Sequence, residues 1–323
     1  MSYTLHWETQ YGNELSLRFH LRFSPDKPLP TAEGSGSMMG VSPTLRHWQL
    51  ADTLRRHRDH SGLTIEQEAE RLRAHSPRWS RSKLQRVEAR IYPPQPAEIA
   101  HLAAVYALSA ADAEALTEMA REARRKGWWQ SSALPKSVHL LAGLEQAATT
   151  IRQFELALVP GLLQTSDYTR AVFAATDPGA SIEVSEGFVA ARMIRQQVIK
   201  RDDPVEIKVV IGEATVSCPV GGKRVMRNQL ERLIEAATEL HVSIQVLPFA
   251  AGAHPGLEGS FTLLTLPGIP HDIGHVEGQM GAVYLESRDD VRRCTMRFAA
   301  VSALALSPSD SRRWIEEKLI EYQ

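Results

Sequence analysis

The chain has 323 residues, 43% hydrophobic and 23% charged, which is typical of an ordinary globular protein of two or three domains. No apolar run approaches the roughly 18 residues that span a bilayer, and the N-terminus lacks the apolar core of a signal peptide. The two cysteines, Cys218 and Cys294, lie far apart and form no CxxC pair. We therefore expect a cytoplasmic protein without a structural zinc site or a cofactor.

The net charge of −1 conceals an uneven distribution along the chain. The segment Leu45–Arg90 holds 11 Lys/Arg and 6 Asp/Glu, a local charge of +5, which leaves −6 on the remainder. A basic segment on an acidic body favours a protein that brings one end to a polyanion.

Residues 1–40 differ from the rest of the chain. Apolar and polar residues alternate from Tyr3 to Trp7 and from Leu15 to Phe23, which predicts a β-hairpin. A Pro/Gly/Ser-rich linker, Pro25–Ser37, follows it. The hairpin either packs on the body or is a non-essential extension from an upstream start codon.

Residues 41–127 predict an all-α domain of about five short helices. The first covers Pro43–Ser61, with Leu50 and Leu54 facing inward and Gly62 as its C-terminal stop. The fourth and fifth follow a proline-rich turn, and their inward residues are Ile99, Leu102, Ala103, Tyr106, Leu116, Met119 and Ala120.

Two helices are predicted within Thr64–Glu88. The first begins at Thr64, with Gln67 at the spacing of a capping box, and runs to Leu72. The second begins after Ser80, a good N-cap, and turns Leu84 and Val87 inward. Its outward residues are basic, amide or hydroxyl side chains suited to bases and phosphates: Arg81, Ser82, Lys83, Gln85 and Arg86.

These two helices, GLTIEQEAERL and WSRSKLQRVE, resemble the helix-turn-helix of Xre-type (lambda-repressor-like) regulators. The resemblance implies that DNA is read by Arg81, Ser82 and Gln85. It also implies phosphate contacts from Ser80, Lys83 and Arg86. The sequence departs from the family pattern in a longer turn, Arg73–Trp79, and in His57, which stands where the family has a core leucine.

Residues 128–323 predict a larger α+β domain. We expect β-strands at Val205–Ile211, Val242–Leu247, Phe261–Leu266 and Ala282–Leu285, and a long amphipathic helix at Val225–Leu240. Leu144–Phe173 is interpreted as a helix, an irregular apolar segment and a second helix capped near Thr165 or Ser166. A further helix is expected over Gly187–Lys200.

This second region resembles the domain of unknown function that follows the helix-turn-helix in many actinobacterial, WhiJ-like regulators. The resemblance rests on GLEQAATTIRQFELALVPGLLQTSDYTRAV, GEATVSCPVGGKRVMRNQLERL, IQVLPFAAGAHPGLEGSFTLL and VEGQMGAVYLE. It implies no established chemistry.

Four polar residues in these segments are candidates for a ligand-binding site: Arg192, Glu213, His254 and Glu277. A histidine among glycines with carboxylates nearby could bind a small molecule or act as a general base. The alternative is that the glycines serve turns and the polar groups satisfy the backbone. Trp128 and Trp129 are interpreted as an interdomain packing anchor rather than as a base-stacking pair.

The leading hypothesis is a homodimeric, DNA-binding transcriptional regulator that reads a palindrome-like operator in double-stranded DNA. Its C-terminal domain would receive a small-molecule signal, mediate association, or both. One alternative is a protein-interaction module whose C-terminal domain holds a small protein partner. The other is an enzyme with an accessory DNA-binding domain. The enzyme hypothesis requires that the four candidate residues gather in one deep pocket.

Overall fold

A computed structural model describes residues 42–132, 136–278 and 281–322. The extension 1–40, with its predicted hairpin, lies outside the described residues. The first five helices are α1 Pro43–His60, α2 Ile65–His75, α3 Arg81–Glu88, α4 Pro96–Val105 and α5 Ala110–Ala123. The predicted all-α region with about five helices is thereby confirmed.

These helices enclose one apolar core because each turns one face inward. The core side chains are Leu50, Leu54, Ala69, Leu72, Trp79, Leu84, Val87, Ile99, Leu102, Leu116 and Ala120. Between α1 and α2 the chain reverses at Gly62, whose φ of +65° favours glycine. The predicted capping box then starts α2, since Thr64 accepts from the Gln67 N–H and Gln67 accepts from the Thr64 N–H.

In the described part of the second region, seven α-helices combine with a six-stranded mixed sheet, as the α+β prediction requires. Its helices are α6 Lys136–Ala147, α7 Ser166–Thr176, α8 Ile182–Arg195, α9 Glu213–Ser217, α10 Lys223–Ala236, α11 Arg288–Leu304 and α12 Pro308–Ile320. Its strands are β1 Thr150–Glu155, β2 Glu206–Gly212, β3 Val242–Leu247, β4 Phe261–Thr265, β5 Ile273–Gly278 and β6 Gly281–Leu285.

The strand order is β3-β2-β1-β4-β5-β6. Strands β1, β2 and β3 are parallel, and β4, β5 and β6 are added antiparallel beside β1. Both faces of the sheet are covered. Side chains of α6, α7, α10 and α12 pack on one face with Ile151 and Ile207, and α11 packs on the other with Phe154 and Val210.

Strand β1 corrects the interpretation of Leu144–Phe173. We expected an irregular apolar segment after the first helix, but Thr150–Glu155 forms a strand paired on both sides, to β2 and β4. Its TIRQFE sequence buries only Ile151 and Phe154, on opposite faces, so no period-two apolar pattern marks it. The helix expected over Gly187–Lys200 begins earlier, at Ile182, and ends at Arg195.

Helix α1 contributes to two cores. Leu50 and Leu54 belong to the core of the five helices, whereas Leu45 and Trp48 belong to the core on the sheet. Polar contacts add to this attachment, since Ser42 Oγ donates to the Gly143 carbonyl at 2.7 Å. The domain limits 41–127 and 128–323 stay predictions.

Within the described ranges, no helix is both long and apolar enough to cross a bilayer. In the same ranges, no group of three or more His, Cys, Asp or Glu side chains is placed to hold a metal ion.

Candidate nucleic-acid interface

Helix α3 is held in place by its cap and by two buried side chains. Ser80 Oγ accepts a hydrogen bond from the Lys83 N–H at 3.2 Å, which satisfies one of the free donors at the helix start. Leu84 and Val87, on the opposite side from the polar residues, are buried in the core. The cap and the apolar spacing predicted from the sequence are thus both observed.

Four of the predicted DNA-contacting side chains lie on the exposed face of α3: Arg81, Ser82, Gln85 and Arg86. Their spacing of i, i+1, i+4 and i+5 places them within about 140° of helix circumference. Arg81 Nε forms a 2.8 Å ion pair with Glu66 in the first turn of α2, with both side chains more than half exposed. Such an exposed pair holds Arg81 only weakly, so its guanidinium can turn to another acceptor.

Lys83 is placed differently from its neighbours. Its ammonium pairs with Glu98 of α4 and lies 4.4 Å from the ring centroid of Trp79. Only 14% of the Lys83 side chain is exposed. Ser80 is likewise occupied by its capping bond. Both residues therefore position α3, and their predicted phosphate contacts stay predictions.

The turn before α3 is shorter than the sequence suggested. Helix α2 continues through His75, one turn beyond the predicted end at Leu72, so the connection to α3 is Ser76–Ser80. Trp79 fixes this connection because its side chain is buried in the core and its indole N–H donates to His101 Nδ1 at 3.1 Å. The predicted turn Arg73–Trp79 is thus wrong over its first three residues, which belong to α2.

The C-terminal end of α3 is tied to α1 by a buried arginine. Arg58 donates to both carboxylate oxygens of Glu88, at 2.6 and 3.0 Å. Arg58 Nε also lies 3.8 Å from the carboxylate of Glu68, which in turn accepts a hydrogen bond from the Tyr106 hydroxyl. This bidentate pairing holds the far end of α3 while the cap holds its start. The sequence did not predict this network, although its charged residues are visible there as Arg58 in RHRD and Glu88 in VE.

His57, the second departure from the family pattern, packs against an aromatic side chain. Its ring is half-buried and stacks on Tyr106, with ring centroids 5.8 Å apart.

The four candidate ligand residues of the second region do not gather at one place. Arg192, on α8, donates to Gln164 at 2.7 Å and its guanidinium lies over the Phe188 ring. Burial lowers the pKa of Arg192 to about 10, with the neighbouring Arg195 adding to the effect and Glu277 opposing it. Arg192 and Glu277 are thus electrostatic neighbours.

The other two candidates bond to separate parts of the fold. Glu213 accepts from the Phe249 N–H at 2.8 Å, and His254 Nδ1 accepts from the Gly256 N–H at 3.1 Å. The His254 ring contacts Phe154, which points to the α11 face of the sheet. Glu277 lies on the other face of the sheet. It follows Ile273 by four residues on β5, so both side chains point to the same face, and Ile273 packs in the opposite core. Ligand binding by these four residues stays a prediction.

A buried ion pair lies beside Arg192. Arg195 donates to both carboxylate oxygens of Glu145 at 2.8 Å, and each side chain is 6% exposed. The pair links α8 to α6 over the sheet.

Trp129 is buried against α6 and α8, where it contacts Val138, Ala142 and Ala191. This contact joins the end of the five-helix region to the sheet region, as the packing interpretation of Trp128 and Trp129 predicted.

The capped α2, the short connection and an anchored α3 with a polar outer face together define a helix-turn-helix protein. Comparison with family models agrees, since residues 49–116 match a helix-turn-helix domain. Residues 138–317 match a domain of unknown function (DUF5753), and this match covers more than half of the chain. The chain therefore belongs to the DUF5753 family. Neither the curated proteins nor the solved structures give a match to it.

Proposed function

We propose that this protein is a sequence-specific regulator of transcription that inserts α3 into the major groove of double-stranded DNA. The helix-turn-helix domain indicates DNA binding. The observation that carries the finer proposal is the outer face of α3, where Arg81, Ser82, Gln85 and Arg86 are exposed on a helix fixed at both ends.

The side chains of this face divide into two roles. Arg81 and Gln85 lie one turn apart, and an arginine can donate two bonds to guanine while a glutamine pairs with adenine. Ser82 can contact either base. Arg86 stands at the edge of the face and neutralises a phosphate. Lys83 supports them indirectly, because its ammonium is already engaged with Glu98.

A helix of eight residues reads only a few base pairs, so useful affinity calls for two half-sites about one helical turn apart. We therefore propose a homodimer on a palindrome-like operator, with the DUF5753 region receiving a signal or mediating association. The proposal also places the protein in the cytoplasm, among WhiJ-like actinobacterial regulators, which rests on the motifs named above. It assigns no catalytic role to Arg192, Glu213, His254 and Glu277.

The test begins by selecting the preferred duplex from random DNA and titrating it against the wild-type protein. Arg81→Ala and Gln85→Ala should each cost about 1–3 kcal/mol of discrimination against the wrong base. That cost corresponds to roughly 5–150-fold in relative affinity. Arg292→Ala removes the same charge from an exposed position on α11 and serves as the matched control.

If the α3 variants keep the wild-type sequence preference, this helix is not the reading element. The titration is repeated at several salt concentrations, because neutralising phosphates releases counterions and makes affinity fall steeply with salt. A flat salt response contradicts DNA binding through this basic face.

A second function, docking of a small protein partner, is favoured by two exposed apolar side chains. Phe249 and Leu257 are 67% and 58% exposed, and both belong to the loop between β3 and β4. Purification of the native protein with a stoichiometric small polypeptide, lost in Phe249→Ser with Leu257→Ser, would support it. This function is compatible with DNA binding.

A further inference from the structure

A cavity of about 350 Å³ lies where the helix-turn-helix region meets the sheet region. Its walls come from α1, the residues after α3, the end of α5, α6 and the end of β6. The lining includes His47, Trp48, Arg90, Ala123, Trp129 and Tyr284. This volume is within the range of sites that hold small molecules in proteins. No motif predicts this cavity, because its walls come from segments more than 200 residues apart.

Three aromatic residues line the cavity. Trp48 and Tyr284 meet edge to face, with ring centroids 6.5 Å apart, and Trp129 is the third. Aromatic rings prefer offset or edge-to-face contacts with other rings, each worth about 0.5–1.5 kcal/mol beyond area burial. The chemistry of the walls therefore favours an aromatic ligand.

The buried polar atoms of the cavity residues that have no hydrogen-bond partner among the described residues include Arg90 Nε and His47 Nε2. The other guanidinium nitrogens of Arg90 donate to Asp52, at 2.7 Å, and to Glu286. A buried donor such as Arg90 Nε costs free energy when it has no partner, and a ligand acceptor beside it removes that cost. The Arg90 guanidinium carbon also lies 4.1 Å from the ring centroid of Trp48.

Arg90 offers the cavity no free positive charge, because two carboxylates, Asp52 and Glu286, pair with its guanidinium. Burial lowers the pKa of His47 to about 4, with Arg90 adding to the effect and a hydrogen bond to the Tyr92 backbone opposing it. The ring of His47 is therefore neutral at pH 7. An anionic ligand would have to be desolvated here without a counter-ion.

We propose that this cavity binds a small, uncharged aromatic molecule that carries a carbonyl acceptor, as in an aromatic amide or lactone. The aromatic part lies among Trp48, Trp129 and Tyr284, and the carbonyl accepts from Arg90 Nε. His47 Nε2 is the acceptor nitrogen of the neutral ring, because the other nitrogen donates to the Tyr92 backbone, so it accepts from the N–H of an amide ligand. The site is separate from Arg192, Glu213, His254 and Glu277, none of which lines the cavity.

Occupancy of the cavity acts on the reading helix through Arg90. Ala89 and Arg90 follow directly after the last residue of α3, and Arg90 holds a left-handed φ of +57° that costs conformational energy. The Arg90 N–H donates to the Val87 carbonyl at 3.1 Å, within the last turn of α3. A ligand that moves the guanidinium therefore moves the end of the helix. This regulatory step rests on the proposed DNA-binding function, whereas ligand binding itself does not.

The binding test uses the full chain without DNA. Coumarin and benzamide are titrated by isothermal calorimetry, with benzoate as the charged comparator and cyclohexanecarboxamide as the non-aromatic one. Ala123→Phe places a ring in the cavity from α5, and Ala115→Phe adds the same ring on the exposed side of that helix. His47→Phe keeps an aromatic side chain but removes the ring nitrogens.

We expect coumarin or benzamide to bind the wild type and Ala115→Phe equally and to bind Ala123→Phe at least tenfold more weakly. Benzamide, which has an N–H donor, should also bind more weakly to His47→Phe. The two comparators should bind at least tenfold more weakly than the aromatic amide or lactone. Equal binding to all variants, equal binding of the comparators, or no binding to the wild type overturns the proposal. Where Ala123→Phe fails to fold, judged by circular dichroism, His47→Phe decides alone.

The regulatory step is tested by titrating the selected duplex with and without saturating ligand. Coupling between the two sites is reciprocal, so the ligand must change DNA affinity by the same factor that DNA changes ligand affinity. We expect a change of at least fivefold, which Ala123→Phe abolishes. A protein that binds DNA and ligand independently refutes the coupling. A protein that binds ligand but no DNA refutes the proposed function and leaves the cavity site standing.

Discussion

The buried carboxylate of Glu68 makes the stability of the helix-turn-helix region depend on pH. The Glu68 side chain has no exposed surface, and it faces Arg58, Glu88 and the Tyr106 hydroxyl. Burial raises its pKa from the ordinary 4.5 to about 7, with the charge of Glu88 adding to the effect and Tyr106 and Arg58 opposing it. The folded protein therefore binds a proton at this site more tightly than the unfolded chain does.

The size and sign of the effect follow from this pKa. The stabilisation is fully present below pH 4.5 and is lost as the pH rises through 7, because the unfolded chain releases the proton first. A difference between pKa values of 4.5 and about 7 corresponds to about 3 kcal/mol. Glu68→Gln keeps an oxygen that can accept from Tyr106 but cannot ionise. Relative to this variant, the wild type should lose about 3 kcal/mol between pH 4.5 and pH 8.

Urea unfolding of both proteins, followed by circular dichroism at pH 4.5, 6, 7 and 8, measures the difference directly. Other titrating groups are shared by the two proteins and cancel in the comparison. Glu70→Gln, at an exposed position on the same helix, is the matched control and should track the wild type. Parallel wild-type and Glu68→Gln stability profiles over this pH range would refute the reasoning.

Three further outcomes follow from the described contacts. Ser80→Ala removes the cap of α3 and should lower the unfolding free energy by about 1 kcal/mol, and Ser80→Gly by only a few tenths, measured by urea unfolding. Arg86→Gln should reduce the slope of log affinity against log salt by about 0.9, whereas Lys83→Gln should leave the slope unchanged and lower the melting temperature. Glu145→Ala leaves the charge of Arg195 buried without a partner and should lower the unfolding free energy by about 3–5 kcal/mol. Replacing both residues, Glu145→Leu with Arg195→Met, should cost far less.

Much of the helix-turn-helix region was predictable because its signals are local. Ser80 and Thr64 mark helix starts by their own side chains, and Leu84 and Val87 repeat at helical spacing. The end of α2 was misplaced because nothing in the sequence after Leu72 stops a helix before Ser76. The inward turn of Lys83 depends on Glu98, on another helix, and could not be predicted from α3 itself.

The sheet region was predictable only where its strands are apolar. Strands β2 and β3 bury mostly valine and isoleucine side chains. The central strand β1 carries Gln153 and Glu155 on one face. Gln153 pairs with Thr262 of β4, and Thr262 pairs with His275 of β5, so a row of polar residues crosses the sheet. Such pairing across more than 100 residues leaves no periodic trace in the sequence.

The division of α1 between two cores has a consequence for the spacing of operator half-sites. Leu45 and Trp48 are buried in the core on the sheet, and Leu50 and Leu54 are buried in the core beneath α3. Helix α1 therefore fixes the orientation of the helix-turn-helix region relative to the sheet region. A symmetric dimer joined through its sheet regions would present its two α3 helices at one fixed angle around the duplex. Inserting a single base pair between half-sites turns one of them by about 35° around the duplex. Because α1 packs in both cores, such a pair would tolerate almost no variation in half-site spacing.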